Sequence, residues 1–144
     1  MSGGLKVGER LPPVVWTVTQ DKVNRYSRYA LGRDTPNIHT DREKAILAGL
    51  PGPVAHGRHP VAIVSESMVR DFGAAWVRGG ELDMTLTRLI FPGDTLTLQR
   101  EVVGVAGSGD ETLVTLKVIF VNQDGQPVQT GEARVHVPTG TIPP

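Results

Sequence analysis

The chain has 144 residues, with 15 lysines and arginines balanced by 15 aspartates and glutamates, four histidines and no cysteine. This length supports one domain with its own core. Zero formal charge offers no basic field to nucleic acid or an anionic membrane, and the lack of cysteine excludes disulfides, thiolate catalysis and cysteine-ligated metals.

The opening "MSGGLKVGERLPP" lacks a basic segment followed by an apolar run, and no apolar stretch approaches ~18 residues, so the expectation is a soluble, cytoplasmic chain. Residues 1–144 read as a single domain with linker-like ends only at "MSGG" and "TGTIPP". After Pro12 and Pro13, the β-branched and aromatic "VVWTVT" predicts a first strand. Thr19 is placed to cap a helix whose apolar residues Val23, Tyr26 and Ala30 share a face, and Gly32 to stop it. In "RDTPNIHTDRE", Thr35 is pushed toward extended backbone by Pro36, whose own φ is fixed, so "DTPNIH" must be a curved loop with Asp34 and His39 at its ends. Thr40 and Glu43 have the spacing of a capping box for a short helix in "KAILAG", closed by Gly49. His39 therefore immediately precedes a helix.

"LPGPVAHG", residues 50 to 57, must be turn-rich. From Pro60, Val61, Val64, Met68 and Phe72 recur at helical spacing and Gly73 stops the run, which predicts the central core helix. Ser65 falls on the same stripe and needs a polar partner there. The period then changes to two. "ELDMTLTRLIF" puts Leu82, Met84, Leu86 and Ile90 on one face, and "TLTLQREVVGV", "ETLVTLKVIFV" and "QPVQTGEARVHV" follow with turn residues between them. Strand, helices and then hairpins predict an α+β domain in which an apolar helix lies against a curved antiparallel sheet.

Gly57 opens the central helix, where a free backbone N–H at the positive end of the dipole could hold a developing oxyanion; the competing reading is a glycine kept for its backbone freedom. Ser65 could face a ligand or bond its own helix backbone. His56 and His59 flank Gly57, but no spacing among His39, His56 and His59 matches a familiar metal set, and no metal is expected. Arg88 interrupts an apolar alternation and could meet a phosphate or simply lie at an exposed edge. His136 alternates outward as a surface residue.

The stretches "VGERLPPVVWTVT", "YALGRDTPNIHTDREKAILAG", "GPVAHG" and "RLIFPGDTL" together resemble the MaoC-like, single hot dog family of (R)-specific enoyl-CoA hydratases and acyl dehydratases over nearly the whole chain. The resemblance implies a hot dog fold, Asp34 and His39 as the catalytic pair, and Gly57 as the thioester-oxygen donor. Ser65 falls where some members support the site. The family's Asn-Pro stands here reversed, as Pro36-Asn37, a departure that bears on the usual bracing by that Asn; Asn37 is grouped with the oxyanion and substrate-binding residues, and Arg58 and His59 occupy positions commonly large and apolar. The "RD" at Arg33-Asp34 and the "HxDREKA" pattern from His39 to Ala45 resemble subgroups acting on bulkier acyl groups, including steroid side-chain hydratases built from two different MaoC-like chains.

The implied reaction is hydration of the C2–C3 double bond of an enoyl thioester, or its reversal, with CoA as the expected carrier. The alternatives are a dehydratase of carrier-protein-bound or polyketide intermediates, with a basic docking surface near Arg58 or Arg78, one subunit of a heteromeric hydratase, or a non-catalytic thioester-binding subunit. Arg58 and Arg88 are the residues placed to meet phosphate or polar acyl groups. No cofactor is implied beyond the carrier of the substrate, and the expected assembly is a homodimer or a heteromer with a second MaoC-like chain.

Overall fold

A computed structural model describes residues 4–139, so the two linker-like ends fall almost wholly outside the described residues. The elements are β1 (Val14–Thr17), α1 (Gln20–Leu31), α2 (Arg42–Leu47), α3 (Arg58–Phe72), α4 (Ala74–Gly79), β2 (Glu81–Leu86), β3 (Thr95–Ser108), β4 (Glu111–Val121) and β5 (Pro127–Pro138). The five strands form one antiparallel sheet in the order β1-β3-β4-β5-β2, which leaves β1 and β2 as the edges.

Strict alternation explains the buried face. Leu96, Leu98 and Val102 of β3 and Leu116, Val118 and Phe120 of β4 are fully buried, while the residues that alternate with them, such as Gln99 and Lys117, turn outward. A register shift between Val102 and Gly104 leaves Val103 exposed as the extra residue, and such a bulge increases the local bend. Across this face lies α3, with Val64, Met68 and Phe72 buried as their spacing predicts. This helix on a curved sheet is the hot dog arrangement, an α+β fold, that the resemblance implies.

Several local expectations are corrected. Asp41, not Thr40, caps α2: its side chain accepts from the Lys44 N–H at 2.9 Å, while the Thr40 hydroxyl accepts from the Asn37 N–H at 3.2 Å. On α1, Thr19 caps and Gly32 stops the helix at φ 66°, but Val23 and Ser27 are the buried residues and Ala30 is exposed. The polar Ser27 is tolerated inside because Asn37 Nδ2 donates to its hydroxyl at 3.1 Å. The strand after α4 ends at Leu86, which is exposed, whereas Ile90 is buried from an irregular segment. There the Thr87 and Arg88 N–H groups both turn onto the Val128 carbonyl, at 2.9 and 3.2 Å, which takes the chain out of the ladder. The short helix α4 was not legible from periodicity; its buried Trp76 reaches the middle of α3, donating to Ser65 Oγ at 2.9 Å.

Alternation also hides one charge. Arg100 occupies an inward position of β3, ion-paired with Asp71 of α3 and donating to the Pro12 carbonyl at 3.1 Å. It ties the first segment, the helix and the sheet together, and a buried charge that loses its partner is costly. Asp71→Ala is expected to lower unfolding free energy by about 3 kcal/mol, and the paired change Asp71→Leu with Arg100→Met by less than that single change. Denaturant midpoints at unchanged m-value provide the check.

Candidate active site

The loop between α1 and α2 is braced by Asn37. Its Oδ1 accepts from the His39 N–H at 2.8 Å, and its Nδ2 donates to Ser27 Oγ at 3.1 Å and to the Thr35 carbonyl at 2.8 Å. The reversed Pro36-Asn37 order thus still supplies a bracing amide. Gln20 Nε2 donates to the His39 carbonyl at 2.8 Å, so both backbone faces of His39 are tied to side chains.

The ring of His39 is held by the segment that leads into α3. His39 Nδ1 lies 2.7 Å from the Val54 carbonyl, and the Val54 N–H donates to the Ile38 carbonyl at 3.3 Å. A carbonyl only accepts, so Nδ1 carries the proton, and in the neutral ring Nε2 keeps the free lone pair. The Ala55 N–H bonds the Ile90 carbonyl at 2.8 Å, which anchors the same segment to the chain beyond β2.

Three residues beyond Val54 comes Gly57, the N-cap of α3. Its φ of −61° is open to any residue, and a Cβ there would meet only Leu86 Cδ2 at 3.5 Å. Neither backbone strain nor packing demands glycine at this point; what glycine supplies is open space at a helix N-terminus. Gln129 Nε2 donates to the Gly57 carbonyl at 2.9 Å and fixes the peptide, while no backbone carbonyl among the described residues takes the Gly57 N–H.

The other sequence-predicted residues separate. Asp34 is ion-paired with Arg28 at 3.4 Å, with its side chain 80% exposed, and makes no hydrogen bond to His39 among the described residues. Arg58 and Arg88 are exposed on segments flanking Gly57. Ser65 finds the partner its position requires in Trp76. His136 is exposed beside Glu111 at 3.7 Å, as its alternation predicts.

Sequence reasoning passed over Gln20, Ser27 and Val54 as supports of His39. Val54 acts through a backbone carbonyl, for which side-chain identity carries no signal, and Ser27 looks like an ordinary helix residue until Asn37 reaches it.

His56 and His59 belong to an aromatic wall. The His56 ring stacks on His39 at a centroid distance of 3.5 Å and 25° between planes, and Tyr26 approaches His56 edge-on at 5.3 Å. Tyr26 also stacks on His59 at 4.3 Å, and Trp16 meets His59 edge-on at 4.5 Å. Burial, followed by the neighbouring His39, His59 and Arg58, lowers His56 from its ordinary 6.5 to about 4. Burial and then Lys22 lower His59 as well. Both rings are therefore uncharged at neutral pH. Among the described residues no group of three or more His, Cys, Asp or Glu is placed to hold a metal ion.

A loop-borne imidazole whose Nε2 carries no proton, set beside an open helix N-terminus on a hot dog sheet, brings a proton acceptor and an oxyanion donor together. The profile of the MaoC like domain matches residues 7–123, and the chain belongs to the MaoC-like dehydratase family. It is 32% identical over 131 residues to a UPF0336 protein of Clavibacter michiganensis subsp. michiganensis (strain NCPPB 382), covering 85% of this chain and 87% of the other. Among solved structures, it resembles the MaoC-like dehydratase from Rhodospirillum rubrum at 26% identity and a TM-score of 0.74, covering 93% of each chain. It shares the fold of the (R)-hydratase from A. caviae involved in PHA biosynthesis, at 23% identity and a TM-score of 0.75, covering 93% of this chain and 98% of that one.

The depressed His56 has a consequence for stability. The unfolded chain binds a proton near 6.5 and the folded chain only near 4, so this contribution is complete above 6.5 and is lost as pH falls toward 4. His59 acts in the same direction. Thermal unfolding between pH 7 and pH 4.5 is expected to show a smaller drop in melting temperature for His56→Phe than for the native protein. An equal drop would show that His56 does not titrate differently on folding.

Proposed function

We propose that the protein adds water to the C2–C3 double bond of an enoyl thioester, or removes it from the (R)-3-hydroxyacyl thioester, with CoA as the carrier. The observation that carries this reading is the clasp between His39 and the segment from Val54 to Gly57. The same short stretch fixes the proton on His39 Nδ1 and then offers the Gly57 N–H.

In the hydration direction, His39 Nε2 takes a proton from water as its oxygen bonds to Cβ. Electron density moves onto the thioester oxygen, where the Gly57 N–H and the N-terminus of α3 stabilise the enolate. The proton taken up by His39 passes through solvent to Asp34, held by Arg28, which delivers it to Cα and so makes the pair one proton-transfer unit. Because the oxyanion is met by an N–H donor and no electrons are exchanged with an external acceptor, this chemistry calls for no metal or redox cofactor.

Arg58 and Arg88 are proposed to meet the phosphate-bearing arm of the carrier, since Arg58 is exposed next to Gly57 and Arg88 is exposed two residues beyond Leu86, the side chain that lies against Gly57. Ser65 is proposed to support the site through its hold on Trp76. Pairing of the unpaired sheet edges between two copies would give a homodimer working in the cytoplasm. No helix among the described residues is long and apolar enough to cross a membrane.

Asp34→Asn and His39→Ala are each expected to lower kcat by about 10²-fold or more with unchanged melting temperature, and the double variant to lose far less than the product of the two. Loss of conjugated enoyl-thioester absorbance measures the rate. Near-native turnover in either variant would make the loop structural, and an inert protein rescued by a second MaoC-like chain would make it one subunit of a heteromer.

Arg58→Ala and Arg88→Ala are expected to raise KM for an enoyl-CoA more than they lower kcat. KM unchanged in both would remove them from carrier binding.

A further inference from the structure

The proposed reaction uses one ring nitrogen of His39, and the structure holds that ring from two directions. Hydrogen bonds act at its edge, through Val54 at Nδ1. Its face is covered by His56, 3.5 Å away and 25° from parallel. An edge bond alone leaves a ring free to tilt about the hydrogen-bond axis, and a flat partner against the face removes that freedom.

His56 is itself backed by the edge of Tyr26 at 5.3 Å, and Tyr26 is stacked in turn on His59. The platform therefore rests on packed neighbours instead of solvent. His56 Nε2 is buried without a hydrogen-bond partner among the described residues, so this ring is not placed by polar contacts at that atom. Burial also keeps His56 uncharged, so it presents a neutral π face. A neutral face accommodates His39 both before and after it takes a proton, and an imidazolium over such a face is attracted to it.

From these contacts we infer that His56 is a positioning residue: its ring is the stacking platform that holds the plane of His39 and keeps Nε2 directed at the attacking water. The inference rests on the hydration chemistry proposed above and extends it to a residue that touches neither water nor thioester. The property required is a flat neutral face, so the ring nitrogens of His56 are dispensable and its planarity is not.

Two substitutions of similar size separate these properties. His56→Phe keeps a flat, uncharged ring, and His56→Leu keeps apolar bulk without one. With an enoyl-CoA as substrate, His56→Phe is expected to retain kcat within about 3-fold, and His56→Leu to lose about 10-fold or more in kcat with KM within about 2-fold, since small misplacements of a catalytic group are expensive. Comparable losses in both variants, a loss confined to KM, or native kcat in His56→Leu would overturn the assignment.

A second readout does not depend on turnover. Carbon-13 relaxation of the His39 ring is expected to report a rigid ring in the native protein and in His56→Phe and a mobile ring in His56→Leu, with the Nδ1–H tautomer kept in all three by the Val54 carbonyl. Inactivity of the native protein on every enoyl thioester would count against the reaction, while the ring-motion comparison would still judge the platform. A His39 ring as rigid in His56→Leu as in the native protein would overturn it.

Discussion

Burial of one face of α3 against the concave side of the sheet is the constraint on which the rest of the site depends. Val64 and Met68 are wholly buried there and Phe72 nearly so, each gaining about 1.5–3 kcal/mol from removal of apolar surface from water. With its C-terminal half held this way, and with Arg100 of β3 paired to Asp71, the helix cannot rotate or slide. Its N-terminus is consequently delivered to one place, next to Leu86 at the end of an edge strand and under the loop that carries His39.

The loop needs its own economy, because residues 34 to 39 form no ladder or helix that would satisfy their backbone. Asn37 solves most of the problem with one amide, which closes the loop on Thr35, reaches the buried Ser27 and receives the His39 N–H. Gln20 takes the His39 carbonyl. Ordering the loop in advance means that the entropy of fixing it is lost on folding and not on binding substrate, which is the general advantage of preorganisation.

The histidines illustrate how identical side chains are separated by environment. His39 has a carbonyl partner that sets its tautomer; His56 and His59 lie among aromatic rings and are driven by burial toward the uncharged form. A wall of Tyr26, His59 and Trp16 stands where an aliphatic lining would be expected for a plain acyl chain. Its rings are rigid and polar at their edges, and it backs His56, which stacks on His39.

The sequence by itself determined the central helix, the helices α1 and α2 before it, the run of hairpin strands after it, the helix stops at Gly32 and Gly73, and the non-helical loop bounded by Asp34 and His39, because periodicity and the constraints of proline and glycine act over a few residues. It also singled out Gly57 at the helix entrance. Tertiary structure decided what depends on groups distant in the chain: Ser27 buried in place of Ala30 because Asn37 reaches it, Leu86 exposed because the ladder ends at Val128, and Arg100 inside because Asp71 crosses from the helix. The hold on His39 belongs to the same class. A backbone carbonyl at Val54 and a ring at His56 have no spacing rule, since their approach to the loop is set only when α3 packs on the sheet and brings the segment before it alongside.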